Sequence, residues 1–166
     1  MSRKLTILLI VVALGLGLDL VSKMLVLQLL PLGAQVPVVP GFFNLVHVHN
    51  QGAAFGLLAG LPVTYTRLFF IITNGLVLSV VGYLWWRLPN TNWPAALGYS
   101  LIMTGALGNL IDRVRLGEVV DFLDFYRGRY HWPAFNVADS LVCLGAAVLV
   151  WVILTEEKTD NAPDPA

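Results

Sequence analysis

Charge is what this sequence carries least of. Of 166 residues only 12% are Asp, Glu, Lys or Arg, and the ten basic side chains cancel the ten acidic ones. A soluble domain is about a quarter charged, so these side chains are too few to coat a water-facing globule, and a bilayer is the expected solvent. With no net charge and no block of like charges, the chain lacks the basic footprint of nucleic-acid binding, which excludes a nucleic-acid partner. Its single cysteine, Cys143, excludes an internal disulfide and a cage of several thiolates. No serine stands in a G-x-S-x-G elbow and no H-E-x-x-H helix is present. There is no internal repeat of roughly 20–50 residues and no low-complexity tract.

What the chain does have is hydrophobic length, since 57% of its residues are apolar. Four segments are long enough to cross about 30 Å of hydrocarbon, which takes roughly 20 helical residues. They run approximately from Leu5 to Leu30, Thr66 to Trp86, Pro94 to Ile111 and Phe135 to Leu154. Arg3 and Lys4 followed by an apolar run resemble the start of a cleavable signal peptide. No small-x-small cleavage site follows, and hydrophobicity resumes at Leu20, so a retained span is expected. The expectation is therefore an all-α membrane protein of four transmembrane helices, one domain over residues 1–155, with a disordered cytoplasmic tail over 156–166.

Both termini are expected in the cytoplasm, because the only charges flanking the first span, Arg3 and Lys4, precede it. Arg67, Arg113, Arg115, Arg127 and Arg129 then fall outside and need a task other than topology. Trp85, Trp86 and Trp93 suit an inner aromatic belt, and Tyr126, Tyr130 and Trp132 an outer one. Between the first two spans, Gln35 to His49 is rich in valine and broken at Pro40-Gly41, which predicts a short hairpin on the outer surface. Glu118 to Tyr126 is too apolar for a free loop and is expected to lie in the membrane interface.

Ionisable residues inside spans cost at least about 2.5 kcal/mol each and call for a functional reading. Asp19 falls about 21 Å up the first span, in its outer third, with Lys23 at i+4 on the same face. An ion pair between them would serve structure as readily as function. Asp112 and Arg113 end the third span and Asp139 begins the fourth, so topology holds everything from Asp112 to Asp139 at one interface and brings Asp121 near Asp139. Asn109 with Asp112, and Asn136 with Asp139, are i,i+3 pairs that each set an amide beside a carboxylate.

Two carboxyls sharing one proton can activate a water and donate to the developing oxyanion of an amide. Cys143 is expected below Asp139 as a core residue of an apolar helix, not as a nucleophile. His47 and His49 share a strand face but lack further ligands, so they are read as surface or interfacial histidines with no metal. The small residues of Asn50-Gln51-Gly52-Ala53-Ala54-Phe55 suit either a substrate wall or a simple turn.

Five blocks together resemble the bacterial lipoprotein signal peptidases, or signal peptidase II. They are Asp19-Leu20-Val21-Ser22-Lys23, Asn50-Gln51-Gly52-Ala53-Ala54-Phe55, Gly108-Asn109-Leu110-Ile111-Asp112-Arg113, Val119-Val120-Asp121-Phe122 and Phe135-Asn136-Val137-Ala138-Asp139. The resemblance implies a multi-pass aspartyl endopeptidase of the bacterial cytoplasmic (inner) membrane, with its site near the outer face and its outer hairpin forming a small β-cradle. The implied partners are membrane lipids and prolipoproteins with a diacylglyceryl-modified cysteine, cut just before that cysteine. It implies no metal or other cofactor, and the enzyme is expected to act as a monomer. Asp121 and Asp139 become the catalytic dyad. Asn109, Asp112, Arg113 and Asn136 would orient it or contact substrate, while Asn50, Asp19 and Lys23 would support or line the site. Phe55, Phe122 and Phe125 would shelter the scissile bond. Asp124 competes with Asp121, since in a helical segment both would face the same way; Asp121 is preferred because it occupies the V-V-D position. A proton-coupled transporter with Asp19, Lys23, Asp112 and Asp139 as relay, and a noncatalytic precursor-binding chaperone, are the rival readings.

Overall fold

The structure is a computed structural model that describes residues 1–52 and 62–160. Four helices are long and apolar enough to cross a membrane. They are α1 (Arg3–Leu29), α2 (Val63–Arg87), α3 (Trp93–Arg115) and α4 (Val137–Asp160). A π turn at Val12–Leu16 interrupts the regular winding of α1. Helix α4 continues to Asp160, into the stretch expected to be a tail, and residues 161–166 lie outside the described residues.

The short turn between α2 and α3 shows how the helix ends are satisfied. Four carbonyls at a helix C-terminus have no partner within the helix. Lys4 supplies one for α2: its Nζ donates to the carbonyls of Trp86 at 2.9 Å and Leu88 at 2.8 Å, and lies 4.9 Å from the Trp85 ring centre. Asn92 caps α3 by accepting from the Ala95 amide at 3.2 Å. Arg3 packs over Trp93 at 5.0 Å, so the two residues read as topology signals also fasten α1 to this turn.

Helix α3 is the centre of the bundle, and α4 packs on it most extensively. Apolar side chains gain little by turning from lipid to protein, so close approach of backbones must hold such helices together. Here glycine provides it. A Cβ on Gly105 would lie 2.2 Å from the Ala138 carbonyl, and one on Gly145 only 2.6 Å from the Gly98 carbonyl. Outward-facing Leu14, Leu18, Ile72 and Leu76 are exposed, which suits a hydrocarbon solvent.

The chain is not all-α. An antiparallel sheet of four strands, in the order β1-β2-β3-β4, consists of Gln35–Val39, Phe43–Asn50, Val119–Arg127 and Tyr130–His131. The hairpin and its turn stand where expected, with Gly41 at φ +82°. It is only half of the sheet, because β3 comes from the connection between α3 and α4, where an interfacial segment without a strand is the expectation. Val119 to Phe122 are buried one after another. A strand covered on both faces loses the polar alternation by which strands are recognised. In the β2–β3 register Val48 faces Asp121 and Asn44 faces Asp124.

Candidate active site

Phe135 positions the site. Its carbonyl accepts from the amides of Phe122 and Leu123, and its own amide donates to the Leu123 carbonyl, so the residues entering α4 are pinned to β3. The next residue, Asn136, is therefore held beside Asp121 and is fully buried. Its side chain accepts from the Asp139 amide at 3.0 Å while Asp139 Oδ2 accepts from the Asn136 amide at 3.3 Å. This reciprocal pair is a capping box, the arrangement that satisfies orphan donors at a helix start. One residue of the candidate dyad is thus fixed by the same bonds that begin α4.

Asn136 also reaches the other acid, since its Nδ2 donates to Asp121 Oδ1 at 2.7 Å. The second Asp121 oxygen accepts from Asn50 Nδ2 at 2.9 Å, and Asp139 Oδ1 accepts from Asn109 Nδ2 at 2.7 Å. Three amides therefore aim the two carboxylates, with Asn136 touching both. Asn109 serves Asp139 and not Asp112, its i,i+3 neighbour. Burial pushes the Asp121 carboxyl up to about 6; hydrogen bonds from Asn50 and Asn136 oppose that rise, and the nearby Asp139 charge adds to it.

Each acid lines an opening. Asp121 lines a cavity of about 320 Å³ with His49, Asn50 and Gln51. Asp139 lines a groove of about 440 Å³ between α2, α3 and α4, together with Phe70, Asn109 and Arg113. Arg113 lies over the Phe70 ring at 4.9 Å and donates to the Asn109 carbonyl at 3.4 Å. Cys143 is exposed on this groove one turn beyond Asp139, which corrects its placement in the core. In a bilayer an exposed thiol meets lipid, so no burial was needed.

Behind the acids sits a second polar cluster. Lys23 Nζ lies 2.9 Å from Asp19 and 2.8 Å from Asp112, and donates to Asn109 Oδ1 at 3.3 Å. Asp19 accepts from the Ala138 amide at 2.8 Å, and Asp112 from the Val120 amide at 3.3 Å. Asp124 belongs to neither group. In a strand i and i+3 point to opposite faces, and Asp124 instead accepts from Asn44 Nδ2 at 2.7 Å and pairs with His131 at 2.9 Å. Phe122 and Phe125 also stand apart: Phe122 packs with Val26 and Val120, and Phe125 stacks on Phe43 and Phe135. Ala53, Ala54 and Phe55 lie outside the described residues.

Several contacts escaped the sequence reading. His47 and His49 meet through their Nε2 atoms at 3.0 Å, and His49 Nδ1 pairs closely with Glu118. Their shared strand face was legible, while Glu118 is distant in sequence. Among the described residues no group of three or more His, Cys, Asp or Glu could hold a metal ion.

Comparisons with known proteins identify the family and the fold. The family model described as signal peptidase (SPase) II matches residues 11–155. A lipoprotein signal peptidase of Desulforapulum autotrophicum is 44% identical over 96% of this chain and 98% of its own length. One from Aeromonas hydrophila is 47% identical over 88% of this chain and 87% of its own. A bacterial membrane enzyme solved by the in meso method at 2.3 Å resolution superposes with a TM-score of 0.83 at 30% identity, covering 100% of this chain and 99% of that one. A second such structure, at 1.9 Å, gives 0.82 at 31% identity, with 92% and 96% covered. With its four spans, its polar blocks in order and these matches along nearly its whole length, the chain belongs to the signal peptidase II family.

Proposed function

We propose that the protein is an aspartic endopeptidase that removes signal peptides from prolipoproteins by cutting before a diacylglyceryl-modified cysteine, with Asp121 and Asp139 as its dyad. The observation that carries the reading is the double role of Asn136, which donates to Asp121 from its side chain and to Asp139 from its backbone. Two carboxylates oriented by one rigid residue are what shared-proton chemistry requires.

Asp121 is the more deeply buried acid and holds the shared proton; half-buried Asp139 is the base. Asp139 takes a proton from water, the hydroxide adds to the scissile carbonyl, and Asp121 donates to the resulting oxyanion. As the tetrahedral species collapses, one of its hydroxyl groups returns a proton to Asp121, the C–N bond breaks, and the departing amine takes up the proton held by Asp139. Arg113, next to Asp139 in the groove, offers positive charge to substrate carbonyls. Asp112, Asp19 and Lys23 support the site from behind.

A lipid-modified cysteine is anchored in the outer leaflet, so its scissile bond would be presented at the depth of the first turn of α4. Phe42, Tyr130 and Trp132, exposed at the far end of the sheet, suit the outer interface, and Lys4 with Trp85 and Trp86 suit the inner one. That arrangement supports a cytoplasmic position for both termini.

The test is a gel-shift assay of a diacylglyceryl-modified precursor with purified wild type, Asp121→Asn and Asp139→Asn. Each variant is expected to lose cleavage by at least about a thousandfold while its thermal unfolding in detergent stays near that of the wild type. Turnover by either variant at a tenth of the wild-type rate removes the dyad. Proton movement across liposomes without any cleavage hands the site to the transporter reading.

A further inference from the structure

One polar group in the groove is still unaccounted for. Asn74 sits in the middle of α2, one turn beyond Phe70 on the same face, and its Nδ2 is buried without a hydrogen-bond partner among the described residues. It lines the same groove as Asp139, whose apolar lining includes Val77, Ile102, Ala106 and Val142. An amide donor in apolar surroundings is costly when unpaired, more so in a bilayer, where water cannot substitute. A structural asparagine would spend that donor on a nearby carbonyl. The carbonyl one turn back, that of Phe70, accepts from the Thr73 hydroxyl at 3.2 Å.

The depth of Asn74 says what it could bind. Phe70 lies under Arg113, and Arg113 bonds to Asn109, the residue that holds Asp139. Phe70 is therefore level with the acids, and Asn74 is one helical turn, about 6 Å, nearer the cytoplasm. A signal peptide rises from the cytoplasmic side to its cut, so the residues before the scissile bond lie on that deeper side. To be cut, the chain must unwind there, and each carbonyl freed from the helix loses its i+4 donor. An extended chain advances about 3.3 Å per residue, which puts Asn74 about two residues from the cut.

We propose that Asn74 is a substrate-positioning residue whose Nδ2 donates to the main-chain carbonyl of the unwound signal peptide about two residues before the scissile bond. The inference rests on the peptidase reading above. Because every residue presents a carbonyl, Asn74 sets the depth at which the peptide is held and not its sequence preference.

The test pairs variants with altered substrates. Lipidated peptides are made with a single backbone ester, a poorer acceptor than an amide, stepped through the four positions before the cut. One ester is expected to lower kcat/KM of the wild type about tenfold, the effect of one net hydrogen bond. Asn74→Leu should lose about tenfold on the all-amide peptide, and that same ester should cost it nothing further. Asn74→Ala, which adds no bulk, should show the same loss of coupling. Wild-type kcat/KM in either variant, or an equal ester penalty in wild type and variants, overturns the proposal. Cleavage of the all-amide peptide by Asp139→Asn instead overturns the peptidase reading beneath it, and this inference with it.

Discussion

Lys23 and Asn136 are the centres of two polar clusters that meet at Asn109, and the clusters are built for opposite ends. Around Lys23, each of three ammonium donors has one acceptor, on Asp19, Asp112 and Asn109, and Asp19, Lys23 and Asp112 are 0%, 2% and 3% exposed. The acids in turn accept from the backbones of α4 and β3, so the cluster ties three helices and the sheet together. Around Asn136 the acids are aimed by amides, which carry no charge and leave both carboxylates unneutralised by direct contact, each beside a cavity. Charge buried near a membrane thus acts as a rivet where an ion closes the set; where only neutral donors hold it, the proposed function makes it chemistry.

Removing the ion should have the largest effect on stability. Lys23→Met leaves two buried carboxylates facing each other, which costs ~3–5 kcal/mol and should lower the detergent unfolding temperature by roughly 10 °C. The triple change Asp19→Asn, Lys23→Met and Asp112→Asn, which removes all three charges, should recover much of that loss. Unchanged unfolding in Lys23→Met would erase the distinction between the clusters.

A smaller effect probes the open cluster. A carboxyl pushed up to about 6 is protonated below that pH and ionised above it. Asp121 should therefore lose its role as proton donor as pH rises through about 6, seen as the alkaline limb of kcat/KM for the free enzyme. Asn50 donates to Asp121 and favours its ionised form. Asn50→Leu should move that limb upward, by up to about one pH unit; a downward shift would contradict the assigned donor.

The smallest effect belongs to the acid outside both clusters. Asp124→Asn should keep activity within about twofold and cost ~1 kcal/mol, because its partner His131 is substantially exposed. Complete loss of cleavage with the fold intact would transfer the catalytic role from Asp121 to Asp124.

Much of this was legible in one dimension because membranes punish charge. Asp19, Lys23, Asp112 and Asp139 stood out as costly residues in apolar runs, and i+4 spacing put Lys23 within reach of Asp19, although an outward snorkel was equally open; the structure has the pair. The hairpin was visible in its valines and its Pro40-Gly41 turn. Strand β3 was not, since its two covered faces give no alternation, and a helical segment there would set Asp121 and Asp124 in competition on one face. Spacing set Asn109 beside Asp112, while the family resemblance grouped it with residues that orient the dyad; its bond to Asp139 is visible only in the fold, because spacing along one helix cannot reveal a partner across the bundle. Asn74 carried no signal beyond being polar in an apolar run.

By itself, the sequence determined the number of spans, their polar blocks and the interface at which those blocks gather, because hydrocarbon thickness and desolvation act on each segment independently. Only the tertiary structure decided that Asn136 joins two acids, that Lys23 closes a separate knot, and that Asn74 faces the groove. Those outcomes depend on which helix face meets which strand. Long-range packing sets that match, and no local pattern encodes it.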